Sequence, residues 1–192
     1  MNAFTFYFPM GWDHIISVDA LDHQLFIIAL AALYTWSDWK KVLVLVTAFT
    51  IGHSATLLLS VLDWVRLDSK WVEFLIPLTI IITAALNLFQ HNQKQATPLS
   101  AYGLALFFGF IHGMGFANNI RFMLAQDQQL GWGLFGFNVG LEAGQVLVVV
   151  LLLSINQFVT FIVKLPSQKW NYIVSSLVLG IAFGIAINRY PF

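Results

Sequence analysis

The stretch FGFIHGMGFA, Phe108–Ala117, sets one histidine and three glycines inside an otherwise apolar run. A histidine there has lost bulk water, and glycine weakens a helix interior. The medium around this run decides how the whole chain folds. Of the 192 residues, 59% are hydrophobic and 9% are charged, nine acids against nine bases. Soluble domains carry about 25% charged residues, and so few charges cannot keep a water-facing surface of this size dispersed. The reading is an integral membrane protein, with the lipid bilayer as its surroundings.

A net charge of zero leaves no basic surface for nucleic acid. The absence of cysteine removes disulfides, thiolate metal sites and cysteine nucleophiles together. The opening MNAFTFYFPMGWDHI lacks the Lys/Arg region of a cleavable signal peptide. No linker or low-complexity tract interrupts the chain, so residues 1–192 read as one membrane domain.

A spanning helix needs roughly 20 mostly apolar residues. Six segments meet that need, about 15–35, 41–62, 71–90, 100–122, 132–156 and 170–188, which predicts an all-α polytopic membrane bundle. Short polar breaks separate them: WSDWKK, DWVRLDSK, HNQKQATP, AQDQQLG and KLPSQK. Tryptophans 12, 36, 39, 64, 71, 132 and 170 fall at the predicted helix ends, where aromatic belts sit. Lys40, Lys41, Lys94, Lys164 and Lys169 lie on one side, against Arg66, Lys70, Arg121 and Arg189 on the other. That balance puts both termini outside the cytoplasm. Glycines 136, 140 and 144, and again 180 and 184, recur every four residues and let helices approach closely in lipid. This spacing serves packing inside one bundle before it serves a homo-oligomer.

Ionisable groups inside a bilayer are costly and read as functional by default. The first span carries Asp19, Asp22 and His23, which share a face at i, i+3, i+4. His53 lies in the second span, Glu73 at the start of the third, His112 in the fourth and Glu142 in the fifth. Asn138, Glu142 and Gln145 form one polar stripe, turned away from Gly140. At about 1.5 Å per residue, His53 and His112 lie roughly 18 Å from the inner edge of a ~30 Å core, and Glu142 roughly 15 Å from the outer edge. His23 falls at a similar level. Four helices therefore bring a ligand-type side chain to one layer, with Glu73 at its outer mouth.

Nitrogen and oxygen donors without sulfur suit Ni²⁺, Co²⁺ or Zn²⁺. The expected ligands are His23, His53, His112, Glu142, Asp22 and Asp19, with Ser54, Asn138 and Gln145 behind them to fix histidine tautomers. A single polar residue in a membrane helix often only bonds a neighbouring helix; the common depth of several is what favours a metal site. In a continuous first helix His14 and His23 face opposite ways, so His14 joins the site only if the chain kinks. His91 reads as a solvated loop residue, Arg121 as an interface anchor after Asn118 and Asn119, and Asn87 as a residue of no cluster.

The runs GWDHIISVDALDHQLF, VTAFTIGHSATL, FGFIHGMGFA and FNVGLEAGQ resemble the HupE/UreJ family of small bacterial membrane proteins, over nearly the whole chain and in the family's order. The resemblance implies an inner-membrane protein of about six helices acting as a secondary nickel or cobalt permease. It implies that His23 with Asp22, His53, His112 and Glu142 handle the metal. A second mechanism fits the same residues: an intramembrane zinc hydrolase, with the three histidines on Zn²⁺, Glu142 or Asp22 as general base and Ser54 steadying the intermediate. A third is a membrane protein that binds metal without transporting it. The inner half of the predicted bundle offers hydroxyls and amides but no ionisable path, which counts against a permease.

Overall fold

In the computed structural model, residues 2–89, 99–126 and 129–192 are described, with the backbone alone for 118–126. His91 and Lys94, and the side chains of Asn118, Asn119 and Arg121, lie outside the described residues. Seven helices are found among them: α1 (Ala3–Ile16), α2 (Leu21–Ala31), α3 (Trp39–Val61), α4 (Ser69–Phe89), α5 (Leu99–Gln126), α6 (Leu130–Ile162) and α7 (Ser167–Asn188). Five are long and apolar enough to cross a membrane. A sixth span exists if α1 and α2, bent by 61° at their junction, count as one. The all-α membrane fold expected from composition is the fold observed.

The first span departs from the sequence reading. A continuous helix over 15–35 is replaced by α1, an extended Ser17, a 3-10 turn at Val18–Ala20, and α2. Gln24 makes the break stable: its Nε2 donates to the carbonyls of Ile15, Ile16 and Ser17 at 3.0, 3.3 and 2.9 Å. These are the acceptors that a helix end leaves unpaired, and in lipid they must find an internal donor. Trp12 consequently lies inside α1 instead of at a helix end, while the other six tryptophans remain near termini.

The bundle is built from close pairs. α1 runs alongside α6 in the same direction, with Phe4 against Gly136 and Phe8 against Gly140. α3 pairs with α5 through Gly52, Gly109 and Gly113, and α4 pairs with α7. A Cβ on Gly113 would lie 2.2 Å from the Thr56 hydroxyl and 2.4 Å from the His53 carbonyl. Gly180 and Gly184, by contrast, meet nothing within 4 Å, so the packing role expected for them inside the bundle is not fulfilled.

Polarity is inverted relative to a soluble protein. Val44, Ile51 and Leu58 of α3 point outward, whereas Thr50, His53, Thr56 and Ser60 of the same helix are buried. At the face where α2 ends and α3 begins, Asn87, Asn171 and Ser175 form a buried polar lock. Asn87 Nδ2 donates to the Ala29 carbonyl at 2.7 Å, and Asn171 Nδ2 donates to the Asn87 carbonyl at 3.0 Å. Asn87 thus belongs to a cluster after all, one that ties α2, α4 and α7 together. The opposite face carries the α3–α4 connection, the start of α1, the end of α7 and Phe192; it is called the mouth face below.

Candidate metal centre

The break after α1 turns His14 back toward α2. Its ring centroid lies 4.4 Å from that of His23, nine residues later. His23 is also 5.8 Å from His53 on α3 and 5.0 Å from His112 on α5. One side chain each from α1, α2 and α3 offers a ligand nitrogen, and the nitrogens of His14, His23 and His53 all lie within 4.8 Å of one another. Ligands about 2.0–2.1 Å from a tetrahedral ion sit roughly 3.4 Å apart, so the rings need close by only about an ångström around a cation.

These imidazoles are short of partners. His23, His53 and His112 are buried, and His14 is partly buried. His14 Nε2, His23 Nε2, both nitrogens of His53 and His112 Nδ1 are buried without a hydrogen bond among the described residues. Each unmet buried donor or acceptor costs about 1–3 kcal/mol, and a bound cation would relieve that cost at one lone pair of each imidazole it binds. The walls are aromatic: Phe116 stacks 3.9 Å from His14, Phe49 lies 5.1 Å from His112, and Phe137 lies 6.3 Å from His53. The glycines of FGFIHGMGFA explain the geometry: they let α5 touch α3 backbone to backbone, bringing His112 to the level of His53.

Thr79 orients His112. Its hydroxyl lies 2.7 Å from the Ile76 carbonyl and shares a hydrogen bond with His112 Nε2 at 3.0 Å. Nδ1 is the His112 atom without a partner.

A cavity of about 420 Å³ leads from the mouth face to His14, His23 and His112. Asp19, Asp22, Glu73 and Arg189 line it. Asp19 and Glu73 therefore stand at an entrance, away from the histidine nitrogens. Ser69 donates to Glu73 at 3.1 Å. Asp22 is ion-paired, its Oδ2 accepting from Arg189 at 2.7 Å while Oδ1 is buried and unpartnered.

The stripe on α6 sits further along. Glu142 accepts from the Thr47 hydroxyl at 2.5 Å, and Gln145 accepts from Thr50 at 2.8 Å. Thr50 and Thr47 are one and two turns from His53 toward the opposite face, so this polar track continues inward from the histidines. Glu142 is not among the three grouped ligands. Asn138 Oδ1 is buried and unpartnered, and Ser54 spends its proton on the Thr50 carbonyl at 2.7 Å.

Of the residues singled out in the sequence, His23 and His53 meet directly and His112 flanks them, while Glu142 stands apart and His14 moves inward. Thr79, Gln24 and Arg189 carried no sequence expectation as site residues. A threonine within an apolar span and an arginine at a span's end were the available signals, and both are common for structural reasons alone.

A family model described as HupE / UreJ protein matches residues 1–188. Comparison with curated proteins and with solved structures gives no significant match.

Proposed function

The chain belongs to the HupE/UreJ family, and from that premise we propose that it is a secondary transporter of a divalent transition-metal ion, nickel or cobalt first, in a bacterial inner membrane. The observation that carries this reading is the meeting of His14, His23 and His53, from three separate elements, with His14 and His23 lining an acid-bearing cavity. The ion is substrate, not a resident cofactor. Asp19 and Glu73 draw it to the mouth, His14, His23 and His53 replace its water, and His112 offers Nδ1 as a further ligand. Nitrogen donors suit Ni²⁺, Co²⁺ or Zn²⁺ better than hard cations such as Mg²⁺.

Onward movement follows the α3–α6 track of Thr50, Gln145, Thr47 and Glu142. This track supplies the inward polar groups that the sequence alone did not join into a path. With both termini on the periplasmic side, the mouth opens to the periplasm and the track points to the cytoplasm. A broken helix beside the site, as α1–α2 provides, is a recurring device where a transporter binds its ion near the bilayer midplane.

Hydrolysis is supported less well. Of the two candidate bases, Asp22 is ion-paired to Arg189 and Glu142 accepts from Thr47, while Ser54, expected to steady an intermediate, bonds its own helix. The deciding experiment is uptake of Ni²⁺, Co²⁺ and Zn²⁺ into liposomes bearing the purified chain. Flux of at least one ion, abolished in His53→Ala, is expected; binding without flux would leave a non-transporting metal-binding protein.

A further inference from the structure

Three contacts at the mouth face involve the residues that follow α7. Arg189 reaches from the end of α7 to Asp22 at 2.7 Å. The Tyr190 ring packs edge-on against Phe74 at 5.6 Å, and Phe192 packs edge-on against Trp71 at 5.3 Å. Trp71 and Phe74 flank Glu73 on the first turns of α4. Arg189 thus lines the cavity and is fastened to α2 by an ion pair, while Tyr190 and Phe192 hold the same segment to α4 by two aromatic contacts on either side of Glu73.

A cation is a peculiar guest at the mouth of a cation site. Arg189 repels an incoming metal ion and occupies the carboxylate next to His23. The pair is half shielded, with Arg189 34% and Asp22 13% exposed, so it is neither a solvated surface pair nor a buried structural one. Asp22 keeps its second oxygen buried and unpartnered, which leaves an acceptor available once the guanidinium moves.

We propose that residues 189–192 form a strap that seats Arg189 as a resident cation over the entrance, and that an ion reaches the histidines only by displacing Arg189 from Asp22. The inference rests on the metal reading of the histidine cluster but not on transport. A divalent ion gains twice the Coulomb energy of a monovalent one from the same carboxylates. It can therefore replace the guanidinium where Na⁺ or K⁺ cannot. The aromatic contacts of Tyr190 and Phe192 return Arg189 to its seat, so the strap sets both selectivity and entry rate.

The test is Co²⁺ binding to the detergent-solubilised full chain, followed by stopped-flow absorbance, for the wild type, Arg189→Gln and the double variant Tyr190→Ala/Phe192→Ala. A cleft lined by one sign of charge raises association by about 10–1,000-fold in total, and losing one opposing charge should recover part of that range, about tenfold. That increase is expected for Arg189→Gln, together with new competition by K⁺; the double variant should shift both in the same direction by less. Tyr190 and Phe192 are exposed, so the double variant reports even if Arg189→Gln does not fold. An unchanged or slower association in whichever variants fold, with wild-type binding intact, overturns the strap and leaves the histidine site standing. No Co²⁺ binding by the wild type overturns both.

Discussion

The Thr79 hydroxyl and His112 Nε2 share a hydrogen bond at 3.0 Å, which leaves Nδ1 as the unpartnered nitrogen of His112. The same hydroxyl lies 2.7 Å from the Ile76 carbonyl, so Thr79 is held against its own helix. Losing such an orienting partner typically lowers metal affinity by about 10–100-fold. Thr79→Val should weaken Ni²⁺ or Co²⁺ binding within that range, and Thr79→Ser should restore it, both read by isothermal titration. Equal affinities in the wild type and Thr79→Val would remove His112 from the metal's surroundings.

His14 separates the set read from sequence from the set assembled by the fold. His14→Ala, His23→Ala and His53→Ala are each expected to abolish stoichiometric binding, with helical content retained by circular dichroism. His112→Ala should leave a weaker but measurable site. If His14→Ala binds as tightly as the wild type while His112→Ala does not bind, the ligand set is His23, His53 and His112.

Glycine at 113 tests the cause of the histidine layer. Overpacking a tight contact costs about 1–3 kcal/mol, and the clash at Gly113 is with the backbone of His53 itself. Gly113→Ala should lower the thermal midpoint in detergent and weaken metal binding together. Gly180→Ala, where a methyl meets open space, should leave binding unchanged and hold or raise the midpoint.

Glu142 divides binding from movement. It bonds Thr47 and is not grouped with the three histidines, so Glu142→Gln should keep equilibrium affinity within about threefold, a change below 1 kcal/mol, while stopping uptake into liposomes. Loss of binding would instead place Glu142 in the primary site.

Much of this architecture was readable in one dimension. Apolar runs of bilayer length, tryptophans near their ends and histidines at matching depths follow from hydropathy and helix rise, and these are local quantities. The meeting of His23 with His53 and with His112 follows from that shared depth. The position of His14 does not. Nothing local in GWDHIISVDALDHQLF interrupts a helix, because Ser17 is no strong breaker and the carbonyls freed there are met by Gln24, seven residues later. Asn87 shows the same limit: its partners are 58 and more residues away in sequence.

The sequence by itself determined that this chain lives in lipid, that its helices are crossed by a layer of imidazoles and acids, and that no thiolate takes part. Those are consequences of composition and of a fixed rise per residue. Only the tertiary structure decided which nitrogens converge, that Arg189 is seated on Asp22, and that Glu142 bonds Thr47 instead of joining the grouped histidines. The reason is that azimuth and close approach depend on a bend and on glycine contacts between helices, and neither is encoded within a single helical segment.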